Sequence, residues 1–272
     1  MKKPFLQDEA FLADVAAHQD GPSLWWLGQS GWLIMYAGQG VCIDPYLSDS
    51  LTEKYSGTSK PHVRITERVV DPGKLRGIVA ATSSHNHTDH LDAATLLPLK
   101  RANPDLELVL PAANRQFARQ RLGGDDSWLT GLLPGERAEI GAYWLTAVPA
   151  AHEEPSLEYM GLLLEVAGTT IYHAGDCVLF DGLVEWLRRQ PVDIALLPIN
   201  GSLPERQVAG NFWGREAAWL AREIGAKLAV PMHFDMFEFN TVTTDEFVEH
   251  CEKIGQPYRV LRNGERLDVV GD

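Results

Sequence analysis

Short apolar runs broken by glycine open the chain: SLWWLGQ (23–29), GWLIMYA (31–37) and VCIDPYL (41–47), with Gly28, Gly31, Gly38 and Gly40 among them. This punctuation predicts hairpin-connected strands. GIVAATSS (77–84) predicts a buried strand and DAATLLPLKR (92–101) a helix. LELVLP (106–111) and NRQFARQRLGG (114–124) repeat that order, with glycine closing the helix. The same plan then recurs. YWLTAVPA (143–150), MGLLLEVA (160–167), TTIYHAGD (169–176) and VDIALLPI (192–199) predict strands. GREAAWLAREIGA (214–226) places Ala217, Leu220, Ala221 and Ile224 on one helical face and stops at Gly225. KLAVPMHF (227–234) is a further buried strand. Thr243 with Glu246 predicts a capping box for a helix that turns Phe247, Val248 and Cys251 inward and ends at Gly255.

Two mixed strand-and-helix halves predict an α/β fold of αββα type, two mixed β-sheets face to face with helices outside. One domain over residues 1–272, built from two similar halves, accommodates the length. Residues 48–71 show no clear periodicity and are long for a connection, so an irregular loop with an active-site role is expected there. Trp25 and Trp26 are expected to be core or interface residues, since one of an adjacent pair must face inward along a strand.

Charge narrows the partners. With 24 Lys and Arg against 37 Asp and Glu, the formal net charge is −13. That balance disfavours long nucleic acids and anionic membranes and favours a small-molecule substrate, phosphorylated or not, since a local basic pocket can still hold one phosphate. No apolar run is long enough to span a bilayer. The N-terminal stretch is interrupted by Gln7, Asp8, Glu9 and Asp14, unlike a signal peptide. Cys42, Cys177 and Cys251 are odd in number and far apart, which argues against a disulfide framework and for a cytoplasmic location. A homo-oligomer stays open.

The candidate chemistry lies in SSHNHTDH (83–90), which puts His85, His87, Asp89 and His90 on one loop after a strand. An isolated histidine is ordinarily a surface or hydrogen-bonded residue, and His18, His62 and His250 are read so. Four clustered polar groups need partners. In an extended segment His85 and His87 point the same way and can share one ion, while Asp89 and His90 beyond the bend can reach a second. Two ions about 3.5–4 Å apart can activate a water between them. Further ligands belong at other strand ends, and His152, Asp176 and His233 each follow an apolar run.

HNHTDH, then AAH, GD and PMH, resembles over nearly the whole chain the metallo-β-lactamase fold superfamily, whose signature is H-x-H-x-D-H with later His, Asp and His. The resemblance implies that His85, His87 and His152 hold one divalent metal, that Asp89, His90 and His233 hold the other, and that Asp176 bridges them. WWLGQSGWLI, SSHNHTDHLD, YHAGD, VDIAL and AVPMHFDMF look like the ascorbate-6-phosphate lactonase group, and YHAGDCVLFDGL with LLPING resembles small metal-dependent hydrolases of unassigned substrate. The implied activity is a binuclear hydrolase in which a metal-bridging hydroxide opens a small lactone or ester, a sugar-phosphate lactone included. A phosphodiesterase or nuclease of the same fold is the enzyme alternative, and a noncatalytic metal-binding protein the third reading. A redox di-iron role fits less well, because that branch places a carboxylate where His87 stands. Resemblance to the lactonase implies manganese and the superfamily at large zinc, while these donors also suit iron.

Asp89 is expected to orient the water as well as bind metal. His173 is either a proton donor or anion holder, or a core residue. Asp44 either orients a ligand histidine or is a turn residue before Pro45. Lys54, Lys60, His62 and Arg64 are phosphate anchors if their loop folds over the site, and otherwise ordinary solvated groups. Asn200, Asn211 and Trp213 are expected to shape the pocket, and Cys177 to be structural.

Overall fold

The computed structural model describes residues 1–18 and 21–269, so the expected domain end at 270–272 lies outside the described residues. Helix α1 (Asp8–Ala17) precedes three antiparallel strands, β1 (Ser23–Gly28), β2 (Gly31–Tyr36) and β3 (Gln39–Ile43). A short helix α2 (Ser50–Tyr55) follows, and β4 (Ile78–Thr82) then pairs parallel to β3. Next come α3 (Ala93–Ala102), β5 (Glu107–Pro111), α4 (Arg115–Arg121) and β6 (Leu129–Leu132), with both strands parallel to β4.

The second sheet begins with an antiparallel ladder of β7 (Arg137–Ile140), β8 (Tyr143–Ala151), β9 (Pro155–Val166) and β10 (Thr169–His173). After α5 (Leu183–Leu187), the strands β11 (Ile194–Pro198) and β12 (Leu228–Met232) extend it in parallel, separated by α6 (Gly214–Glu223). Helix α7 (Asp245–Ile254) and β13 (Arg266–Asp268) end the described chain. The sheet orders are β13-β1-β2-β3-β4-β5-β6 and β12-β11-β10-β9-β8-β7. The expected pair of mixed sheets with outer helices is therefore the observed architecture.

Alternation along the strands divides the core. Leu24, Trp26, Trp32, Ile34, Val41 and Ile43 pack with second-sheet residues such as Leu145 and Leu164. Their neighbours Trp25, Leu27, Leu33, Met35 and Cys42 pack with Phe11, Val15, Leu96 and Leu99 of α1 and α3. A period of two with apolar residues at every position requires cover on both faces, and the helices supply it. Trp25 and Trp26 are both buried, as expected of core residues. The predicted face of α6 is buried too: Ala217, Leu220, Ala221 and Ile224 join the core with Phe247 and Cys251 of α7.

Two local expectations are corrected. Thr243 and Glu246 form no capping box: the N-cap is Thr244 without a side-chain bond, Thr243 Oγ1 donates to Asp245 Oδ2 (2.8 Å), and Glu246 accepts from Arg215 Nη1 on α6 (2.6 Å). Residues 48–71 are more ordered than their pattern predicts. They contain α2, and Ile65 N donates to Met236 O (2.9 Å) while Glu238 N donates to Val63 O (2.9 Å), so the segment lies against the loop after β12. Among the described residues no helix is long and apolar enough to cross a membrane.

Candidate metal centre

Strand ends deliver the histidines and carboxylates to one place, outside the carboxyl ends of the parallel strands, where open α/β sheets place their sites. After β4, His90 N (3.2 Å) and Leu91 N (2.9 Å) both donate to His87 O, a tight turn that carries Asp89 and His90 around from His85 and His87. His152 follows β8, Asp176 follows β10, and His233 follows β12. Gly175 has φ 64°, and a Cβ there would lie 2.8 Å from Ser84 Cβ, so glycine is what lets Asp176 approach the histidine loop. Asp44 (φ 41°) and His233 (φ 63°) are non-glycine residues in the left-handed region, a strain of about 1–3 kcal/mol each that persists where the surroundings over-determine it.

The site residues assemble into overlapping groups. Donor atoms of His85, His87 and His152 lie within 4.8 Å of one another, as do those of Asp89, His90 and His233, and those of His85, His90 and Asp176. Asp176 touches both expected sets: Oδ1 is 3.3 Å from His90 Nε2, and Oδ2 is 3.3 Å from His233 Nε2 and 3.8 Å from His152 Nε2. All seven expected ligands thus converge.

The fit to metal ions can be tested on unpaired atoms. Among the described residues, the ring nitrogens His85 Nε2, His90 Nε2 and His233 Nδ1 are buried without a hydrogen-bond partner, and Asp176 Oδ1 lies 3.3 Å from His90 Nε2. Buried polar atoms are almost always partnered, so the orphaned His85 and His90 Nε2 atoms inside a nitrogen-and-carboxylate cluster fit cationic ligands. Neighbours fix the rings accordingly. His90 Nδ1–H donates to Asp44 Oδ2 (2.6 Å) and His152 Nδ1–H to Gly210 O (2.8 Å), which points each Nε2 at the cluster. Asp44 is itself held by Thr82 Oγ1 (2.9 Å), Ser84 N (2.9 Å) and Ser84 Oγ. Of its two expected roles, the geometry shows the orienting one.

Protonation follows from these contacts. Burial, with His90 adjacent, pushes His85 well below its ordinary value. Burial acts the same way on His90, but the Asp176 and Asp89 carboxylates outweigh it and hold this imidazole well above its ordinary value. For Asp176 burial opposes ionisation, yet His233 and His90 hold its carboxyl well below the usual range.

The cluster floors a cavity of about 630 Å³. Leu51, Tyr55, Phe117, Tyr159, Phe237 and Phe239 supply apolar wall, and Lys54, Lys60 and Arg121 supply cationic groups. Leu51, Lys54, Tyr55, Lys60 and His62 of the 48–71 segment line this cavity. Lys54 Nζ donates to Thr88 Oγ1 (3.2 Å), Lys60 Nζ reaches across to Arg206 O (2.7 Å), and His62 stacks on Tyr55 with centroids 4.5 Å apart.

Other expected residues do not face the cavity. Arg64 is buried in its own loop, where Nε donates to Asp49 Oδ1 (2.8 Å) and Nη2 to Ser48 O, so it is no phosphate anchor. His173 is corrected as a proton donor: Nε2–H donates to Ser30 O (2.8 Å) and Nδ1 accepts from Gly175 N (3.1 Å), which occupies both nitrogens with backbone. Asn200, Asn211 and Trp213 do not line the pocket. Asn211 Nδ2 donates to Asn200 Oδ1 (2.9 Å) and Asn200 Nδ2 to Asn240 Oδ1 (3.0 Å), bracing the loop that presents Gly210 to His152.

One pair of contributors had no signal in the pattern. Gln29 and Ser30, in the turn between β1 and β2, reach the cluster: Gln29 Nε2 donates to Asp89 Oδ2 (3.1 Å), and Ser30 Oγ donates to Asp176 Oδ1 (3.3 Å).

Fold and site together define a protein of the metallo-β-lactamase fold that carries a candidate metal centre. The chain belongs to the beta-lactamase superfamily, whose domain family it matches over residues 41–234. It is similar to a metal-dependent hydrolase of Rubrobacter xylanophilus, 29% identical over 245 residues that cover 85% of this chain and 89% of the relative. Its fold is shared by a metallo hydrolase from the archaeon Ignicoccus hospitalis, with TM-score 0.67, 20% identity and coverage of 92% of this chain and 99% of that one. An isothiocyanate hydrolase from Delia radicum gut bacteria shares it as well, with TM-score 0.72, 20% identity and coverage of 91% and 99%.

Proposed function

We propose that this chain opens a small lactone or ester, a sugar-phosphate lactone being one substrate that suits the cavity, with two divalent metals of the zinc, manganese or iron kind. The observation that carries the reading is Asp176, which lies within 3.8 Å of ring nitrogens in both ligand sets beside the orphaned His85 and His90 nitrogens. His85, His87 and His152 would hold one ion and Asp89, His90 and His233 the other. Bound there, divalent metal lowers the pKa of water to about 7 and polarises a carbonyl oxygen.

The protein's part is positioning. Asp44 and Gly210 O keep the His90 and His152 rings turned inward, and the aromatic wall excludes water from one side of the cavity. Ring opening consumes one water, breaks the acyl C–O bond and leaves a carboxylate and an alcohol. Lys54, whose ammonium sits beside Thr88 in the metal loop, faces that carboxylate or a substrate phosphate. An acidic chain whose cationic groups lie inside a cavity suits a small anion in the cytoplasm, rather than a long nucleic acid or a membrane surface.

The test is turnover by metal-stripped protein reloaded separately with Mn²⁺ and Zn²⁺, with His87→Ala as control. Substrates are neutral lactones, sugar-phosphate lactones, a phosphodiester and an isothiocyanate. Metal-dependent lactone opening that vanishes in the variant supports the reading. Cleavage of the phosphodiester or the isothiocyanate alone replaces the substrate class, and inactivity with two ions bound leaves the noncatalytic reading.

A further inference from the structure

Gln29 occupies the tip of the β1–β2 turn with φ 51°, a left-handed conformation that a side-chain-bearing residue keeps only where its contacts hold it. Those contacts converge on the metal centre. The Gln29 carbonyl accepts from His233 N (3.0 Å) and from Trp26 Nε1 (3.0 Å), so the turn is tied to the backbone of a ligand residue. Its side-chain Nε2 lies 3.1 Å from Asp89 Oδ2 and 3.1 Å from His233 Nε2. The residue is 5% exposed, and what it exposes lines the cavity. Gly28 makes the approach possible, since a Cβ there would collide with Met236 and Asn263.

The two atoms that Gln29 touches are the ones Asp89 and His233 would offer to an ion. An imidazole nitrogen has one lone pair, so His233 Nε2 cannot accept from the amide N–H and bind an ion at once. A half-turn of the amide exchanges its nitrogen and oxygen without moving the chain, and puts a hard oxygen donor where a donor N–H had been. We infer that Gln29 is part of the second metal site: its amide N–H holds Asp89 and His233 in place without an ion, and its oxygen turns toward the ion when they bind one. The inference rests on the two-metal reading above.

Calorimetric titration of metal-stripped full chain with Zn²⁺ or Mn²⁺ tests it, with stoichiometry from elemental analysis and Co²⁺ absorption as a spectroscopic readout. Gln29→Asn tolerates the left-handed turn but withdraws the amide from both ligands. Gln29→Glu keeps the reach and supplies an oxygen donor. The second binding step should weaken about 10–100-fold in the Asn variant, the usual effect of removing a supporting group, with the first step unchanged. The Glu variant should restore it, and the Co²⁺ spectrum should change only at the second equivalent. A second step that is unchanged or tighter with Asn overturns the inference. So does equal weakening of both steps, or failure of Glu to restore binding. Wild-type protein that takes a single ion brings down the two-metal reading and this inference with it.

Discussion

Replacing Asp44 by alanine should damage stability and metal binding together, through atoms that can be counted. The carboxylate is fully buried and accepts from Thr82 Oγ1, Ser84 N, Ser84 Oγ and His90 Nδ1. The two hydroxyls can rotate to other acceptors, but the Ser84 N–H and the His90 Nδ1–H cannot. Each orphaned buried donor costs about 1–3 kcal/mol, and breaking a buried charged pair about 3–5 kcal/mol, so the metal-free protein should lose about 3–5 kcal/mol. Urea unfolding in chelator, followed by tryptophan fluorescence, measures it. Asp44→Asn keeps the shape, should lose less stability, and should weaken ion binding about 10–100-fold because His90 is no longer fixed by a charge. The pH dependence has a defined sign. Burial raises the pKa of Asp44, but His90 outweighs it and the value is lowered from the ordinary 3.8. Its stabilisation is therefore present above 3.8 and lost as pH falls through the lowered value, so wild type and Asp44→Asn should converge in acid. A loss below about 1 kcal/mol with unchanged ion affinity would refute the orienting role and leave Asp44 a turn residue.

Metal uptake should expel a proton, because carboxylates raise His90 well above the ordinary 6.5. Calorimetry in buffers of different ionisation enthalpy should show proton release and an affinity that rises with pH, and zero release would contradict it. Lys54→Met should raise KM for anionic lactones about tenfold with kcat nearly unchanged and neutral lactones unaffected, as for loss of one charged hydrogen bond; equal effects on both substrates would remove Lys54 as an anion anchor. Burial pushes the thiols of Cys42, Cys177 and Cys251 up to about 12, so a thiol reagent should find no fast-reacting group in native protein and all three after denaturation.

Legibility in the sequence followed the range of each signal. His85, His87, Asp89 and His90 are neighbours on one loop, and His152, Asp176 and His233 each follow an apolar strand, so local pattern was enough to collect them. Gln29 escaped because its partners are 60 and 204 residues away, and a glutamine in a hairpin turn looks like any polar turn residue. His173 misled for the opposite reason. His173 ends β10 three residues before Asp176, so it is close in sequence, but its ring turns to Ser30 of the other sheet. Residues 48–71 were read as irregular because short α2 and isolated pairing with 236–238 leave no period to find. Arg64 was placed by charge alone, while its surroundings made it a buried brace.

The most direct test of the centre is a crystal structure of metal-loaded protein with anomalous data on either side of the metal edge. Two peaks per chain are expected, one among His85, His87 and His152 and one among Asp89, His90 and His233, with Asp176 contacting both. A single peak at full loading, or ions outside these residues, would contradict the two-metal centre.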